Sequence, residues 1–193
     1  MSGPQKRHAA IRMLKYASAP ALLLAVPSAA DASFIGFYDP ANWTFSNSAG
    51  GDGFVDTSGA PASVFVQGAD NFGSATNNNS DYTIAVAASG NWSFSWAYTR
   101  FDSLPYYDFG GYLLNGVFTS LATNTSSGAV GSIAVNAGDL IGFRVNCTDC
   151  GFGPGRITIS NFEAPEIPEP ATLSLMALGM AGLAAARRRR RAS

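Results

Sequence analysis

Side chains able to perform acid–base or nucleophilic chemistry are scarce in this chain of 193 residues. Its single histidine, His8, stands near the N-terminus, and residues 33–163 contain neither histidine nor lysine. Serine and cysteine nucleophiles need such a group as a base. The composition therefore excludes Ser-His-Asp, Cys-His and Ser-Lys catalysis and disfavours a usual zinc site. A pair of carboxylates, as in glycosidases, is the catalytic arrangement that the remaining residues still allow.

The two cysteines, Cys147 and Cys150, form a C-x-x-C pair. In a thioredoxin-type redox site such a pair opens a helix, whose N-terminus lowers the thiol pKa. Here the stretch 151–155 is Gly-Phe-Gly-Pro-Gly, which cannot begin that helix. In an oxidising compartment the sequence favours a local disulfide that pins a loop between two strands. Free thiols or a redox role are the alternatives.

Three aspartates in glycine-rich turns are the candidate calcium ligands. Asp52 and Asp56 belong to a Gly-Gly-Asp-Gly-Phe-Val-Asp stretch, and Asp139 follows Ala-Gly. Carboxylate and backbone oxygens are the ligands that calcium prefers, although this spacing matches no EF-hand loop. Turn aspartates also accept local backbone hydrogen bonds without any metal. No other cofactor is predicted.

Aromatic side chains near the ends of strand-like runs are the candidate sugar contacts. Trp43, Tyr106 and Tyr107 are expected to be exposed enough for their rings to stack on a carbohydrate. The aromatic residues of 92–98 recur at every second position instead. They therefore share one face of a strand, and we expect that face to lie in the core.

The elements that would position these side chains are all predicted to be β-strands. Apolar residues alternate with polar or small ones in many short runs, and no sustained helical period interrupts them. The runs are 34–38, 43–45, 63–67, 82–86, 92–98, 112–114, 117–121, 133–135, 141–145 and 157–159. About eight or nine strands at this spacing predict an all-β fold, an antiparallel two-sheet sandwich that is jelly-roll-like.

Clusters of turn-forming residues separate the predicted strands. They occupy residues 47–53, 77–81, 89–91, 115–116 and 137–139. Asn115-Gly116 between 112–114 and 117–118 is typical of a type I′ hairpin, because both central residues must adopt positive φ. We expect these two runs to pair.

The N-terminal 32 residues have the order of a secretory signal peptide. A basic region with Lys6, Arg7, Arg12 and Lys15 precedes an apolar stretch at 21–26, and small residues follow at 28–32. We expect cleavage after residue 30 or 32. Residues 33–163 then form the exported β-sandwich domain, and residues 164–167 form a short linker to the C-terminal segment.

Without its two ends the chain is strongly acidic. Residues 33–167 hold three arginines and eleven acidic residues, a formal charge of −8, whereas the whole chain is near neutral at −1. Such a surface repels polyanions. Nucleic acid and anionic lipid are therefore not expected to be ligands of the domain.

The C-terminal segment has three consecutive zones. Pro168, Glu169 and Pro170 form a rigid tripeptide, residues 171–186 are apolar or small, and five arginines occupy positions 187–191. Sixteen helical residues reach roughly 24 Å, somewhat less than a hydrocarbon core of about 30 Å, and arginine side chains can extend to the interface. The arginine cluster predicts a transmembrane helix with a cytoplasmic C-terminus. The alternative is a buried helix with a basic tail. The arginines are Arg187, Arg188, Arg189, Arg190 and Arg191.

This order of motif, short apolar helix and arginine cluster resembles the PEP-CTERM sorting signal of exported proteins in Gram-negative bacteria. The resemblance covers residues 167–193 only. It implies that a membrane-embedded cysteine protease, an exosortase, recognises Pro168, Glu169 and Pro170 and cleaves near them. It also implies a role at the cell surface or in an exopolysaccharide or biofilm matrix. An uncleaved anchor is the alternative.

These observations predict an exported, non-enzymatic β-sandwich of the cell surface or extracellular matrix. Its partners would be the secretion machinery, an exosortase and the membrane, with polysaccharide as a further candidate. Its precursor would be anchored in the inner membrane with the domain outside the cytoplasm. The alternatives are a carbohydrate-binding module of the matrix and a small glycoside-active enzyme.

Overall fold

Ten β-strands carry the alternating pattern in the computed structural model, which describes residues 33–71, 77–104, 107–166, 177–182 and 187–188. The strands are β1 Thr44–Asn47, β2 Phe54–Asp56, β3 Ser63–Gln67, β4 Asn78–Ala85, β5 Gly90–Arg100, β6 Asp108–Leu114, β7 Val117–Ala122, β8 Ser126–Val135, β9 Leu140–Cys147 and β10 Gly155–Glu163. Two short 3-10 helices, Gly36–Tyr38 and Pro40–Asn42, precede β1.

The strands form two five-stranded antiparallel sheets. One sheet has the order β1-β4-β9-β6-β7 and the other has the order β2-β3-β10-β5-β8. The predicted all-β, two-sheet antiparallel sandwich is therefore confirmed, and its jelly-roll winding stays a prediction. The strand number was underestimated, because the short β2 directly follows a predicted turn region and was not predicted as a strand. The run predicted at 133–135 is the end of a longer strand, β8, which begins at Ser126.

The predicted hairpin is present between β6 and β7. Leu114 pairs with Val117, and the two turn residues Asn115 and Gly116 have φ values of 51° and 80°. Both values are positive, as a type I′ turn requires. Asparagine and glycine adopt this backbone conformation at low cost, so the sequence fixes the register of the pair.

Residues 77–81 were expected to form a turn, but β4 begins at Asn78. Polar side chains satisfy one another across the neighbouring strands here. Ser80 donates to Asn47 Oδ1 at 2.7 Å, and Asn146 donates to Asn79 Oδ1 at 2.9 Å. The turn prediction was therefore wrong. It failed because polar cross-strand pairs replace the apolar alternation by which a strand is usually recognised in sequence.

Residues 34–38 were expected to form a strand, and this prediction was also wrong. Gly36 has φ +59°, and the amides of Tyr38 and Asp39 donate to the carbonyls of Ile35 and Gly36 in 3-10 geometry. Phe34 and Tyr38 are nevertheless buried. The alternation indicated burial correctly, although the backbone turns instead of extending.

The core between the sheets is mainly aromatic. Phe143 on β9 lies 5.0 Å from Phe94 on β5 and 5.9 Å from Trp92, measured between ring centroids. Burial of each large apolar side chain contributes roughly 1.5–3 kcal/mol. The aromatic face predicted for residues 92–98 is therefore a core face, with only Trp96 partly exposed.

The sandwich has two ends, which we name by their contents. The terminal end comprises residues 33–43, 85–90, 114–117, 136–140 and 164–166. The acidic end comprises residues 67–70, 98–104, 107–108 and 147–155. Ala85 pairs with Leu140 at the first end, whereas Asn78 pairs with Cys147 at the second.

The segment expected to be a linker begins as part of the folded domain. Ala164 is buried, and the carbonyl of Pro165 accepts a hydrogen bond of 2.7 Å from the hydroxyl of Tyr38. The same hydroxyl accepts the amide of Ala87 at 3.2 Å. The hydroxyl of Tyr38 therefore links the segment that contains Pro165 to the segment that contains Ala87.

The predicted transmembrane helix at 171–186 falls mostly outside the described residues, of which 177–182 are helical. Within the part of the chain that the structure describes, no helix has the length and apolar character needed to cross a membrane. Pro168, Glu169 and Pro170 lie outside the described residues, as does the whole predicted signal peptide.

Candidate functional site

The structure does not support the three predicted sugar contacts as a group. Trp43 is only 8% exposed and stacks on Tyr82 at 4.7 Å, so its predicted exposure was wrong. Its indole nitrogen donates to the carbonyl of Tyr38 at 3.0 Å. Tyr107 is partly buried, and its carbonyl accepts the amide of Thr148. Tyr106 lies outside the described residues.

Exposed aromatic rings occur instead on the outer face of the sheet that contains β2, β3 and β10. Phe54 is 43% exposed and Phe101 is 50% exposed. Phe65 contacts Phe54 edge-on at 5.9 Å. The guanidinium of Arg156 lies 4.3 Å from the ring centre of Phe65 and 5.1 Å from that of Phe101. We call these four residues the aromatic–arginine row.

The pairing register of β2, β3 and β10 explains why the side chains of the row are neighbours. Gln67 on β3 pairs with Phe54 on β2 and with Arg156 on β10, so the three side chains stand side by side. Gln67 Oε1 accepts from Nε and Nη2 of Arg156 at 3.2 and 2.6 Å. The guanidinium is therefore held in place by both hydrogen bonding and contacts with two aromatic rings.

Small or hydroxylated side chains surround the row on the same sheet face. Alternation from the registers of β3, β10 and β5 places them there: Ser63, Ser95, Ala97, Thr99, Thr158 and Ser160. Exposed apolar rings beside hydroxyl groups match a sugar ring, which has apolar faces and a polar rim. Sequence alternation around Phe65 could have identified this face, but Phe101 follows the end of β5 and shows no such signal.

The outer face of the other sheet is occupied by paired polar groups. Arg144 Nε and Nη2 donate to the two carboxylate oxygens of Asp81, both at 2.6 Å. This is the one ion pair within the described residues. Arg144 also lies 5.5 Å from the ring centre of Phe118. These groups satisfy one another, so the arrangement supports sheet register more than ligand binding.

The predicted calcium ligands do not come together. Asp52 accepts the amide of Asp70, Asp56 accepts the amide of Ser58, and Asp139 accepts the amide of Asn136. The hydrogen bonds from Ser58 lower the pKa of Asp56, and those from Asn136 and Asn115 lower the pKa of Asp139. Across the described ranges, no three acidic, cysteine or histidine side chains are arranged to hold a metal ion.

Four other aspartates cluster at the acidic end, and sequence reasoning missed them. Asp108, the first residue of β6, is 3% exposed. Burial is the main cause that raises the pKa of Asp108 to about 7, and the negative charges of Asp102, Asp149 and Asp70 raise it further. A hydrogen bond from the amide of Gly155 acts in the opposite direction. This carboxyl therefore exchanges its proton near neutral pH.

Polar atoms without partners surround this carboxyl. The hydroxyl of Tyr98, which is 1% exposed, makes no hydrogen bond, and neither does Oδ2 of Asp102, which is 5% exposed. Burial, followed by the charge of Asp108, raises the pKa of Tyr98. A glycosidase carboxyl must reach a glycosidic oxygen. Asp102 and Asp108 are too deeply buried to form such a pair in this conformation.

The predicted disulfide between Cys147 and Cys150 is present, with a Cα–Cα distance of 5.0 Å. Cys147 ends β9 and pairs with Asn78 on β4 and with Asp108 on β6. The bridge therefore closes the loop that carries Asp149, one of the four aspartates at the acidic end. Its place between two strands is the structural role that the sequence predicted.

The described residues thus define a two-sheet antiparallel β-sandwich with one exposed aromatic–arginine row. Residues 166–191 match the family model of the PEP-CTERM protein-sorting motif. The chain therefore carries this sorting motif in its C-terminal segment, as the resemblance predicted. The match covers that segment only, and no curated protein sequence matches the chain.

Solved structures similar to this chain include carbohydrate-binding modules. A family 11 module of the cellulase Lic26A-Cel5E of Clostridium thermocellum has 9% identity over 74% of this chain and 98% of the module, with a TM-score of 0.42. A family 35 module from Clostridium thermocellum has 12% identity over 69% and 98%, with a TM-score of 0.33. A family 35 module from Paenibacillus barcinonensis has 16% identity over 63% and 94%, also with a TM-score of 0.33. Likeness at this level carries no inference about a ligand.

Proposed function

We propose that this chain is an exported protein of the cell surface or extracellular matrix, sorted by an exosortase and without enzymatic activity of its own. The observation that carries the proposal is the sorting motif at residues 166–191. A signal peptide at residues 1–32 would direct export. Residues 171–186 would then hold the precursor in the inner membrane until cleavage near Pro168, Glu169 and Pro170.

The physical basis of this temporary anchoring is the arrangement of charge around the short apolar run. Five arginines at 187–191 oppose translocation of the C-terminus. The run itself is somewhat shorter than the hydrocarbon core, and an acidic domain of formal charge −8 precedes it. The tail therefore stops export at a defined point while the folded domain faces outward, with the motif at the outer boundary of the membrane.

A glutamine in place of Glu169 tests the sorting step. In the native host, Glu169→Gln is expected to leave the arginine tail attached and to shift most of the protein into the membrane fraction. Intact-mass analysis and cell fractionation measure both effects. Glu163→Gln is the matched control, since Glu163 is an exposed residue at the end of β10. Normal removal of the tail from Glu169→Gln would contradict the role of the motif.

Polysaccharide binding is the second candidate function, and the aromatic–arginine row is the observation that favours it. The rings of Phe54 and Phe101 are exposed, and the guanidinium of Arg156 contacts both Phe65 and Phe101. The formal charge of −8 repels polyanions, so a neutral polysaccharide fits this surface better than an acidic one. The domain would then act as a non-catalytic module of the matrix.

Loss of either the exposed ring of Phe101 or the guanidinium of Arg156 is expected to weaken binding to a neutral polysaccharide. Phe101→Ala and Arg156→Gln should each reduce affinity for hydroxyethylcellulose at least tenfold, or about 1.4 kcal/mol. Affinity electrophoresis measures the change, with alginate as the polyanionic comparison. Val117→Ala removes an exposed apolar side chain at the opposite end of the sandwich and should bind normally. Equal binding by all three variants would eliminate the row as the site.

A further inference from the structure

The two targeting segments join the domain at the same end. Phe34 follows the predicted signal peptide, and its ring stacks on Phe162 near the end of β10 at 4.8 Å. The Tyr38–Pro165 hydrogen bond then fixes the last described residues of the domain beside the first ones. Residues 33 and 166 therefore both belong to the terminal end of the sandwich.

The chain available between this end and the membrane is short. Four residues, 167–170, separate Glu166 from the start of the apolar run at Ala171. At about 3.1–3.4 Å for each of the five steps, they span roughly 16 Å even when fully extended. The headgroup layer alone is about 5–7 Å thick on each side of the hydrocarbon core. The terminal end therefore cannot stand far from the lipid surface.

The terminal end also displays apolar side chains to solvent. Ile35 and Phe37 are exposed beside the 3-10 helix that leads to Tyr38. Val117 and Leu140 are exposed where the β6–β7 hairpin meets the start of β9. Apolar and aromatic side chains of this kind partition into the headgroup boundary.

Charge at this end does not favour binding through anionic lipid. None of the three arginines in residues 33–166 lies at this end. Arg100 is paired with Gly155 and Arg156 with Thr99 at the opposite end of β5 and β10, and Arg144 lies within its sheet bonded to Asp81. The charged groups of the terminal end are carboxylates, including Asp39 and Glu166. Contact with a bilayer here would depend on apolar side chains and should be insensitive to salt.

We propose that, in the membrane-held precursor, the terminal end of the sandwich rests on the outer lipid surface with Ile35 and Phe37 in the headgroup layer. The occupant of this apolar surface is the bilayer itself. The inference depends on the proposed function, which places residues 171–186 in the membrane. It adds that the domain has a fixed orientation, with the acidic end and the aromatic–arginine row directed away from the lipid.

Single-site labelling tests this orientation in the full-length chain. Both cysteines are in the disulfide, so Phe37→Cys provides one free thiol for a fluorophore under non-reducing conditions. The labelled protein is reconstituted in vesicles of phosphatidylethanolamine and phosphatidylglycerol that contain headgroup-nitroxide lipid. We expect severalfold stronger quenching at position 37 than at position 152, labelled through Phe152→Cys at the acidic end. The difference should persist at high salt.

The controls separate failure of this inference from failure of the proposed function. Ile35→Cys is the second label position, so the result does not depend on one variant. Flotation with the vesicles together with equal quenching at positions 37 and 152 would overturn the orientation and leave membrane anchoring intact. Absence of flotation would overturn both proposals. Quenching at position 37 that disappears at high salt would also overturn the apolar contact.

Discussion

Asp108→Asn is expected to stabilise the folded domain at pH 8 by up to about 4 kcal/mol and to leave its stability at pH 4 nearly unchanged. The wild-type carboxyl is buried beside three other aspartates, and its pKa is raised to about 7. Asparagine has nearly the same shape without the charge, and its oxygen can still accept the amide of Gly155. Urea unfolding of the mature protein at several pH values measures the difference.

The direction of this pH dependence follows from the number of protons bound by the folded and unfolded states. Between about pH 4 and pH 7 the folded protein retains the proton of Asp108, whereas the unfolded chain has lost it. The free energy of unfolding therefore falls as pH rises through this window and levels off above it. Subtraction of the variant curve from the wild-type curve isolates this contribution from that of the other carboxyl groups.

Asp139→Asn is a control that should change the free energy of unfolding at pH 8 in the opposite direction. Hydrogen bonds from Asn136 and Asn115 lower the pKa of Asp139, so its carboxylate stabilises the fold above the unfolded pKa and loses this effect as pH falls. Asp139→Asn should therefore destabilise at pH 8 and have little effect at low pH. If Asp108→Asn behaved in the same way, the buried acidic cluster could not have the electrostatics described above.

Local patterns predicted the parts of the fold that local chemistry controls. The central strands alternate because one face of each lies in the core, and Asn115-Gly116 specifies its own turn geometry. The start of β4 was not predicted because Asn78, Asn79 and Ser80 are stabilised by side chains distant in sequence. A pattern of neighbouring residues in the sequence cannot indicate those distant partners.

The acidic cluster was also not predicted, because its members are distant from one another in sequence. Asp70 follows β3, Asp102 follows β5, Asp108 begins β6 and Asp149 belongs to the loop after β9. Sheet topology alone brings these four segments together, and each aspartate looks like an ordinary turn residue in sequence. The calcium prediction selected aspartates in glycine-rich turns, where local hydrogen bonds already satisfy the carboxylates.

Trp43 shows how the position of a residue in sequence can misrepresent its environment. It stands between a 3-10 helix and β1, at the start of a three-residue run that is too short to indicate which way its side chain points. In the structure its ring lies against Tyr82 and Phe143 and closes the core at the terminal end. A tryptophan near a loop was therefore interpreted as a ligand contact, although it is a packing residue.

Trp43→Ala is accordingly expected to destabilise the domain by about 3–5 kcal/mol, the usual cost of removing a buried tryptophan. The change removes stacking on Tyr82 and leaves the carbonyl of Tyr38 without the indole donor. Because Tyr38 also bonds to Pro165, the damage should extend to the fastening of the C-terminal segment. Chemical denaturation of the mature protein measures the stability loss.

Trp43→Phe separates packing from hydrogen bonding and from any direct ligand contact. Phenylalanine retains an aromatic ring but cannot donate to Tyr38, so we expect a smaller loss, about 1–3 kcal/mol. Its affinity for hydroxyethylcellulose should equal that of the wild type, because the ring does not reach the surface. Reduced affinity with unchanged stability would show that Trp43 contacts ligand after all, which its burial against Tyr82 and Phe143 argues against.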